Sequence, residues 1–110
     1  MKRDMDLIKK ILLNVENDIA YEAIDGYEKQ DILEHQALLI DTGLLDGKVH
    51  KNTETSKTYI DGIIISGLTP KGYDFLDSLK NDNVFNKIKD LVKDMSSEAI
   101  KAYLLNLVKM

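Results

Sequence analysis

No cysteine occurs anywhere in the 110 residues, which removes disulfides, zinc–thiolate sites, iron–sulfur clusters and thiol nucleophiles together. Long apolar runs are missing as well. Asp4 and Asp6 directly follow the positive Met1-Lys2-Arg3, and Ile11-Leu12-Leu13 is too short for a signal-peptide core. Nowhere do about 18 apolar residues succeed one another, so no membrane span and no membrane partner are expected. Positive charge is scarce: 15 Lys and Arg stand against 19 Asp and Glu, for a net charge of −4 and a pI near 5.1. Proteins built mainly to hold nucleic acid usually carry a positive excess, because counterion release from phosphates drives much of that affinity. A local basic patch can still suffice. The expected setting is a soluble, cytoplasmic one.

The constellations that mark an enzyme are also lacking. Gly62 and Gly67 fall inside a strand pattern rather than before a helix, so no phosphate-cradling loop is present. Ser66 stands between Ile65 and Gly67, without the flanking glycine pattern or nearby acid of a nucleophile elbow. The two histidines, His35 and His50, fall in different elements with no third ligand placed beside either. His35 reads as a partly buried helix residue making one hydrogen bond, and His50 as a solvated one. Carboxylates such as Asp90 and Asp94 read as helix-surface charges. The expectation is a non-enzymatic protein with no catalytic residue, no metal and no cofactor.

What is present is the mixture of an ordinary globular chain, 44% hydrophobic and 31% charged. Leu7, Ile8, Ile11, Leu12 and Val15 share one face of a helix over residues 4–16, with Asp4 as its N-cap. Residues 19–24 end at Asp25-Gly26 and read as a short edge strand. A second helix spans residues 28–42, with Ile32, Leu33, Gln36, Leu39 and Ile40 inward and Gly43 ending it. Leu44 and Leu45 start a strand, Asp46-Gly47 turns the chain, and residues 48–58 form a polar loop in which Val49 is the aliphatic exception. The isoleucine-rich residues 59–68 return as a strand, where Gly62 and Gly67 suggest a bulge or a close backbone contact. Thr69-Pro70 opens a third helix as N-cap and N1, with Tyr73, Leu76 and Leu79 on its apolar side and Phe75 close beside it. Asn81-Asp82-Asn83 breaks it. A fourth helix covers residues 84–95 (Ile88, Leu91, Val92, Met95) and a fifth covers 97–110.

This order describes an α+β winged helix, residues 1–83, with a β-hairpin wing and a C-terminal helical extension, residues 84–110. The usual second helix of the trihelical core is replaced by the strand near 19–24, unless residues 20–27 hide a short helical turn. Leu68-Thr69-Pro70-Lys71-Gly72-Tyr73-Asp74-Phe75-Leu76 resembles the L-T-x-x-G-x-x-F-L segment that follows the wing in many bacterial winged-helix proteins. Leu38-Leu39-Ile40-Asp41-Thr42-Gly43-Leu44-Leu45 is similar to the L-L-x-x-x-G-L-I end of their recognition helix.

Over nearly its whole length the chain resembles an uncharacterised family of short bacterial and phage proteins, a domain of unknown function. Residues 1–12 are similar to its opening M-K-R-D-M-D-L-I-R-K-I-L. Ile24-Asp25-Gly26-Tyr27, residues 35–45 and residues 68–77 match its later motifs, and residues 81–87 resemble its N-D-x-x-W-N-K with Phe85 in place of tryptophan. Three further departures stand out: Glu28 where serine often caps the helix, Thr42 for the usual alanine, and Tyr73 where histidine is common. The resemblance implies a winged-helix-like fold and no assigned activity.

Two functions fit this pattern, the first preferred and the second its alternative. A DNA-binding transcriptional regulator of bacterial or phage type would place the helix at 28–42 in the major groove of double-stranded DNA. Gln30 would read adenine, with Lys29 and the wing residues Lys48, Lys51 and Lys57 on phosphates. That helix carries Glu28, Asp31, Glu34 and Asp41 against Lys29 alone, so turning its outward positions near Gln30, Glu34, Leu38 and Asp41 toward phosphate meets repulsion. The other function is a protein–protein interaction module, an adaptor or anti-repressor-like partner that does not bind DNA. Ile100, Tyr103, Leu104, Leu107 and Val108 form one stripe of the last helix, which either packs on the core or makes a homodimer seam.

Overall fold

The computed structural model describes residues 3–54 and 57–109. Met1, Lys2, Thr55, Ser56 and Met110 lie outside the described residues, and with them the tip of the expected wing and the last residue of the expected fifth helix. The described chain forms α1 (Met5–Glu16), α2 (Lys29–Asp41), β1 (Leu45–Glu54), β2 (Lys57–Leu68), α3 (Pro70–Lys80), α4 (Asp82–Val92) and α5 (Ser97–Lys109). The architecture is α+β: five helices and one antiparallel two-stranded hairpin.

Helix α1 begins where the sequence places it, because the Asp4 carboxylate accepts the Leu7 amide at 3.1 Å. Its apolar stripe, Leu7, Ile8, Ile11 and Leu12, is fully buried and forms the centre of the core. Against it pack Ile32 and Leu39 of α2, Leu44 and Leu45, Leu76 and Leu79 of α3, and Ile100 and Leu104 of α5. The terminal helix thus joins the same cluster as α1. Val108, further along it, lies with its Cγ1 3.1 Å from where a Cβ on Gly43 would stand.

The segment at 19–24 is a loop, not the edge strand expected. Side chains hold it in place of a backbone ladder: Gln36 donates its amide to the Ala20 carbonyl at 3.1 Å, and Ile24 is buried in the core. The hairpin is also longer than the composition of residues 48–58 suggests. Asp46-Gly47 does not turn the chain. It lies within β1, which runs on through the polar residues to Glu54, pairing Glu54 with Lys57 at the far end and Leu45 with Leu68 at the base. The register shifts twice, once opposite Gly67 and once opposite Gly62, which is where the strand glycines indicate bulges. Polar composition obscures these strands because much of their length is exposed, so no apolar alternation is required of them.

Two helical faces also differ from expectation. In α3, Phe75 takes the inward place beside Gly72, Leu76 and Leu79, whereas Tyr73 points to solvent at 49% exposure. In α4, which ends at Val92, Phe85 and Val92 are buried and Leu91 is exposed. The Lys9 ammonium sits 4.5 Å over the Phe85 ring and that of Lys89 5.1 Å, a cation–π pairing that suits an aromatic at this position.

The base of the hairpin is tied to the start of α3. The Leu44 carbonyl accepts the Thr69 amide at 3.2 Å, the Thr69 hydroxyl donates to the Gly43 carbonyl at 2.6 Å, and the same oxygen accepts the Gly72 amide at 3.0 Å. Gly43 has φ +86, the left-handed conformation that releases the chain from α2. At Gly72 a Cβ would collide with the Leu44 carbonyl oxygen and stand 3.0 Å from its carbon. Both groups are backbone, so neither yields easily. Gly72→Ala should therefore lower stability by about 1–3 kcal/mol, the range for overpacking a fixed site, read from urea unfolding midpoints. Leu104→Ala should lower it by about 2–5 kcal/mol in the full chain. A near-neutral result would show that α5 does not share the core.

Candidate interaction surfaces

Helix α2 lies between the core and the hairpin. Ile32, His35 and Leu39 face the core, but Ala37 and Leu38 are only 4% and 3% exposed. Leu38 was expected to face outward. It does not: with Ala37 and Asp41 it lines one cleft beside Lys51 and Ile60 of the hairpin. On the other flank of the hairpin, Leu33 and Gln36 line a second cleft with Asp61, Gly62 and Ile63. The hairpin thus flanks α2 on both sides, joined on the Leu38 side by Ser97, Glu98 and Lys101 of α5. What remains open is the first turn, Glu28, Lys29 and Gln30, and Asp41 near the end.

The five residues expected at a DNA surface are dispersed. Lys29 borders the cleft that contains Asp61 and Ile63, while Lys51 borders the cleft on the opposite flank, facing Glu34 and Asp41. Gln30 is exposed beside Lys29. Lys48 and Lys51 project from opposite faces of β1, since side chains alternate along a strand. Lys57 sits at the far end of the hairpin, paired in register with Glu54. The sequence from 16 to 34 carries Glu16, Asp18, Glu22, Asp25, Glu28, Asp31 and Glu34 against Lys29 as its one base; of these, Glu16 pairs with Lys80 and Glu34 borders the cleft that holds Lys51.

The residues of the α5 stripe are placed within this chain. Ile100 and Leu104 are buried, and Tyr103, Leu107 and Val108 are partly buried against the same cluster. Burial holds the Tyr103 hydroxyl above its ordinary pKa.

A polar junction joins the start of α1 to α2. His35 is buried, and its Nδ1 lies 2.8 Å from the Asp31 carbonyl, which can only accept, so Nδ1 carries the proton. Nε2 accepts the Asp4 amide at 3.0 Å. His35 thus makes two bonds where one was expected, and the one accepted at Nε2 requires the neutral ring. The Tyr27 hydroxyl donates to the Asp4 carboxylate at 3.0 Å. Burial, then the bond to Asp4 and the charges of Asp4 and Asp6, push its pKa up to about 12. The other histidine, His50, is exposed and bonds Asp61 across the hairpin bulge. Among the described residues no three His, Asp or Glu side chains gather where they could hold a metal ion, and no helix is long and apolar enough to cross a membrane.

A partly enclosed cleft of about 490 Å³ lies between α2, the loop at 20–27 and the outer edge of β2. Ala23, Tyr27, Ile32, Leu33 and Ile63 make its walls largely apolar, with Glu22, Asp61 and Lys29 at the rim. Tyr21, 68% exposed, accepts the Ile65 amide on its hydroxyl at 2.8 Å. Sequence reasoning missed this cleft: no motif marks Tyr21, Asp61 or Ile63, and their meeting depends on the path of the loop.

These features belong to a chain with identified relatives. The model of the family described as "Hypothetical protein (DUF2513)" matches residues 2–98, and the chain belongs to that family. An "Uncharacterized protein" of Haemophilus influenzae (strain ATCC 51907 / DSM 11121 / KW20 / Rd) is 30% identical over 111 residues, covering 92% of this chain and 90% of its own length. No solved structure matches the chain.

The His35 junction has a consequence for pH. Burial lowers the His35 pKa, outweighing the Asp31 carbonyl that favours the charged ring. The unfolded chain takes up its proton near pH 6.5 while the folded chain resists it, so the unfolded state binds more protons below that point. Stability is therefore full above about pH 6.5 and falls as pH drops from there toward the folded pKa. Urea midpoints measured between pH 7 and 5 should decline, and His35→Gln should flatten that part of the slope whatever its effect at neutral pH.

Proposed function

We propose that this domain is a winged-helix variant that works as a non-enzymatic protein-interaction module, an adaptor that docks a partner protein. Support for the winged-helix relation is the order of elements, in which α2 leads directly into a hairpin and the hairpin into a helix that packs back on α1. The observation that carries the docking function is the exposed region around the first turn of α2. The chain leading into that turn, residues 16 to 34, has seven carboxylates to one base, with Glu16 paired to Lys80 and Lys10 beside Asp25. A duplex brought to this region would meet like charge at close range in its most important contacts.

One observation favours the second function, a DNA-binding regulator of bacterial or phage type. Lys29 and Gln30 are exposed on the first turn of α2, and it is from the N-terminal part of such a helix that base edges are contacted. Fluorescence anisotropy with random duplex DNA across a salt series separates the two. Docking of a protein predicts no detectable affinity even at the lowest salt, where the phosphate contribution is strongest. Affinity that falls steeply with salt, and is weakened by Lys29→Ala, would replace the adaptor function with the DNA-binding one.

A further inference from the structure

The sheet has two strands, and the outer edge of β2 pairs with no other strand among the described residues. The register is unbroken from Gly62 opposite His50 to Ile65 opposite Gly47. In an antiparallel ladder, successive residues direct their amide and carbonyl groups alternately toward and away from the partner strand. The Ile65 amide points away from β1, since it bonds the Tyr21 hydroxyl. Ile63, two residues earlier, therefore turns its amide and carbonyl the same way, into the cleft it lines with Ala23, Tyr27, Ile32, Leu33 and Gly62. An unpaired edge of this kind is a template for another strand.

The loop at 19–24 lies beside this edge but does not pair with it. Tyr21 reaches β2 with a side chain, and Ala20 gives its carbonyl to Gln36. The cleft of about 490 Å³ is thus an open strand position, with an exposed edge on one side, an apolar floor from α2 and a loop as the far wall. Its rim is acidic. Glu22 and Asp61, the latter also bonded to exposed His50, border it together with Lys29, and Asp18 borders the adjoining cleft along Ile65 and Gly67 beside Glu16, which pairs with Lys80.

We propose that this cleft takes an extended, basic segment of a partner protein, which adds to β2 as a third strand. The proposal rests on the protein-docking function and names its ligand. Main-chain bonds to Ile63 hold the segment in register, an apolar side chain on its inner face fills the space over Ile32 and Leu33, and lysines or arginines on it meet Glu22 and Asp61. Strand addition of this type draws affinity from backbone bonds and specificity from alternate side chains, so a short peptide of generic sequence is a fair probe.

The test uses the full chain and three labelled heptapeptides: Lys-Val-Lys-Thr-Lys-Val-Lys, the same peptide with glutamate for lysine, and the same peptide with proline at its two valines. The first should bind, and the other two should bind at least about tenfold more weakly, a difference of about 1.4 kcal/mol. Hydrogen exchange of the Ile63 amide should slow in the complex, and Glu22→Lys with Asp61→Lys should weaken the lysine peptide by about tenfold while unfolding midpoints confirm that the variant folds. No binding of the lysine peptide at low salt would overturn the proposal. So would equal binding of the proline peptide, with Ile63 exchange unchanged. That last outcome shows attraction by charge without pairing and leaves protein docking standing, whereas salt-dependent binding of random duplex DNA is what would remove docking itself.

Discussion

At the junction of α2, the hairpin and α3, two stretches of backbone come closer than a side chain would permit. Leu44 presents its carbonyl to the Thr69 amide, and Gly72 faces the same carbonyl with no Cβ between them. Thr69 ties the contact from both sides, giving its proton to Gly43 and taking that of Gly72. The hairpin must leave from Leu45 and return at Leu68 with its base clamped here, so its direction relative to α2 is set before its own side chains have any influence. The segment Leu68-Thr69-Pro70-Lys71-Gly72 has a local reason for each conspicuous residue: a cap, a first-turn proline and a glycine where only hydrogen fits.

Because the hairpin is aimed across α2, the helix is covered on two sides. Ala37, opposite the core-facing Leu39, would be an ordinary surface position on an isolated amphipathic helix, yet it is buried. Thr42 sits at the end of the same helix, also buried, and satisfies its hydroxyl on the Leu38 carbonyl at 2.8 Å, so the departure from alanine costs no unpaired polar group. What α2 still offers to solvent is its first turn, placed among carboxylates. The same crossing leaves the outer edge of β2 facing the loop at 17–28, and a groove lies where a further strand would fit.

Much of this arrangement is legible in the residues. The three- and four-residue spacing in α1, the Asp4 and Thr69 caps, Gly43 at the end of α2 and the bulges beside Gly62 and Gly67 all follow from local chemistry, and the structure has each of them. The membership in an uncharacterised family was legible too, in motifs spread over most of the chain. Other features were not. The loop at 19–24 has strand-like composition, but its hydrogen bonds are met by Gln36 and by its own turns, and a strand needs a partner ladder that was never formed. Tyr73 and Phe75 differ in face rather than in apolar character, so spacing alone ranked them wrongly.

The sequence by itself determined the starts of α1 and α3, the end of α2 and the carboxylate-rich composition of residues 16–34, because these depend on neighbouring residues or on composition. Only the tertiary structure decided that Leu38 and Ala37 are buried beside the hairpin and α5, that His35 bridges Asp31 and Asp4, and that Ile63 faces a groove. Apart from the His35–Asp31 bond inside α2, those are contacts between segments distant in the chain, which no local pattern encodes.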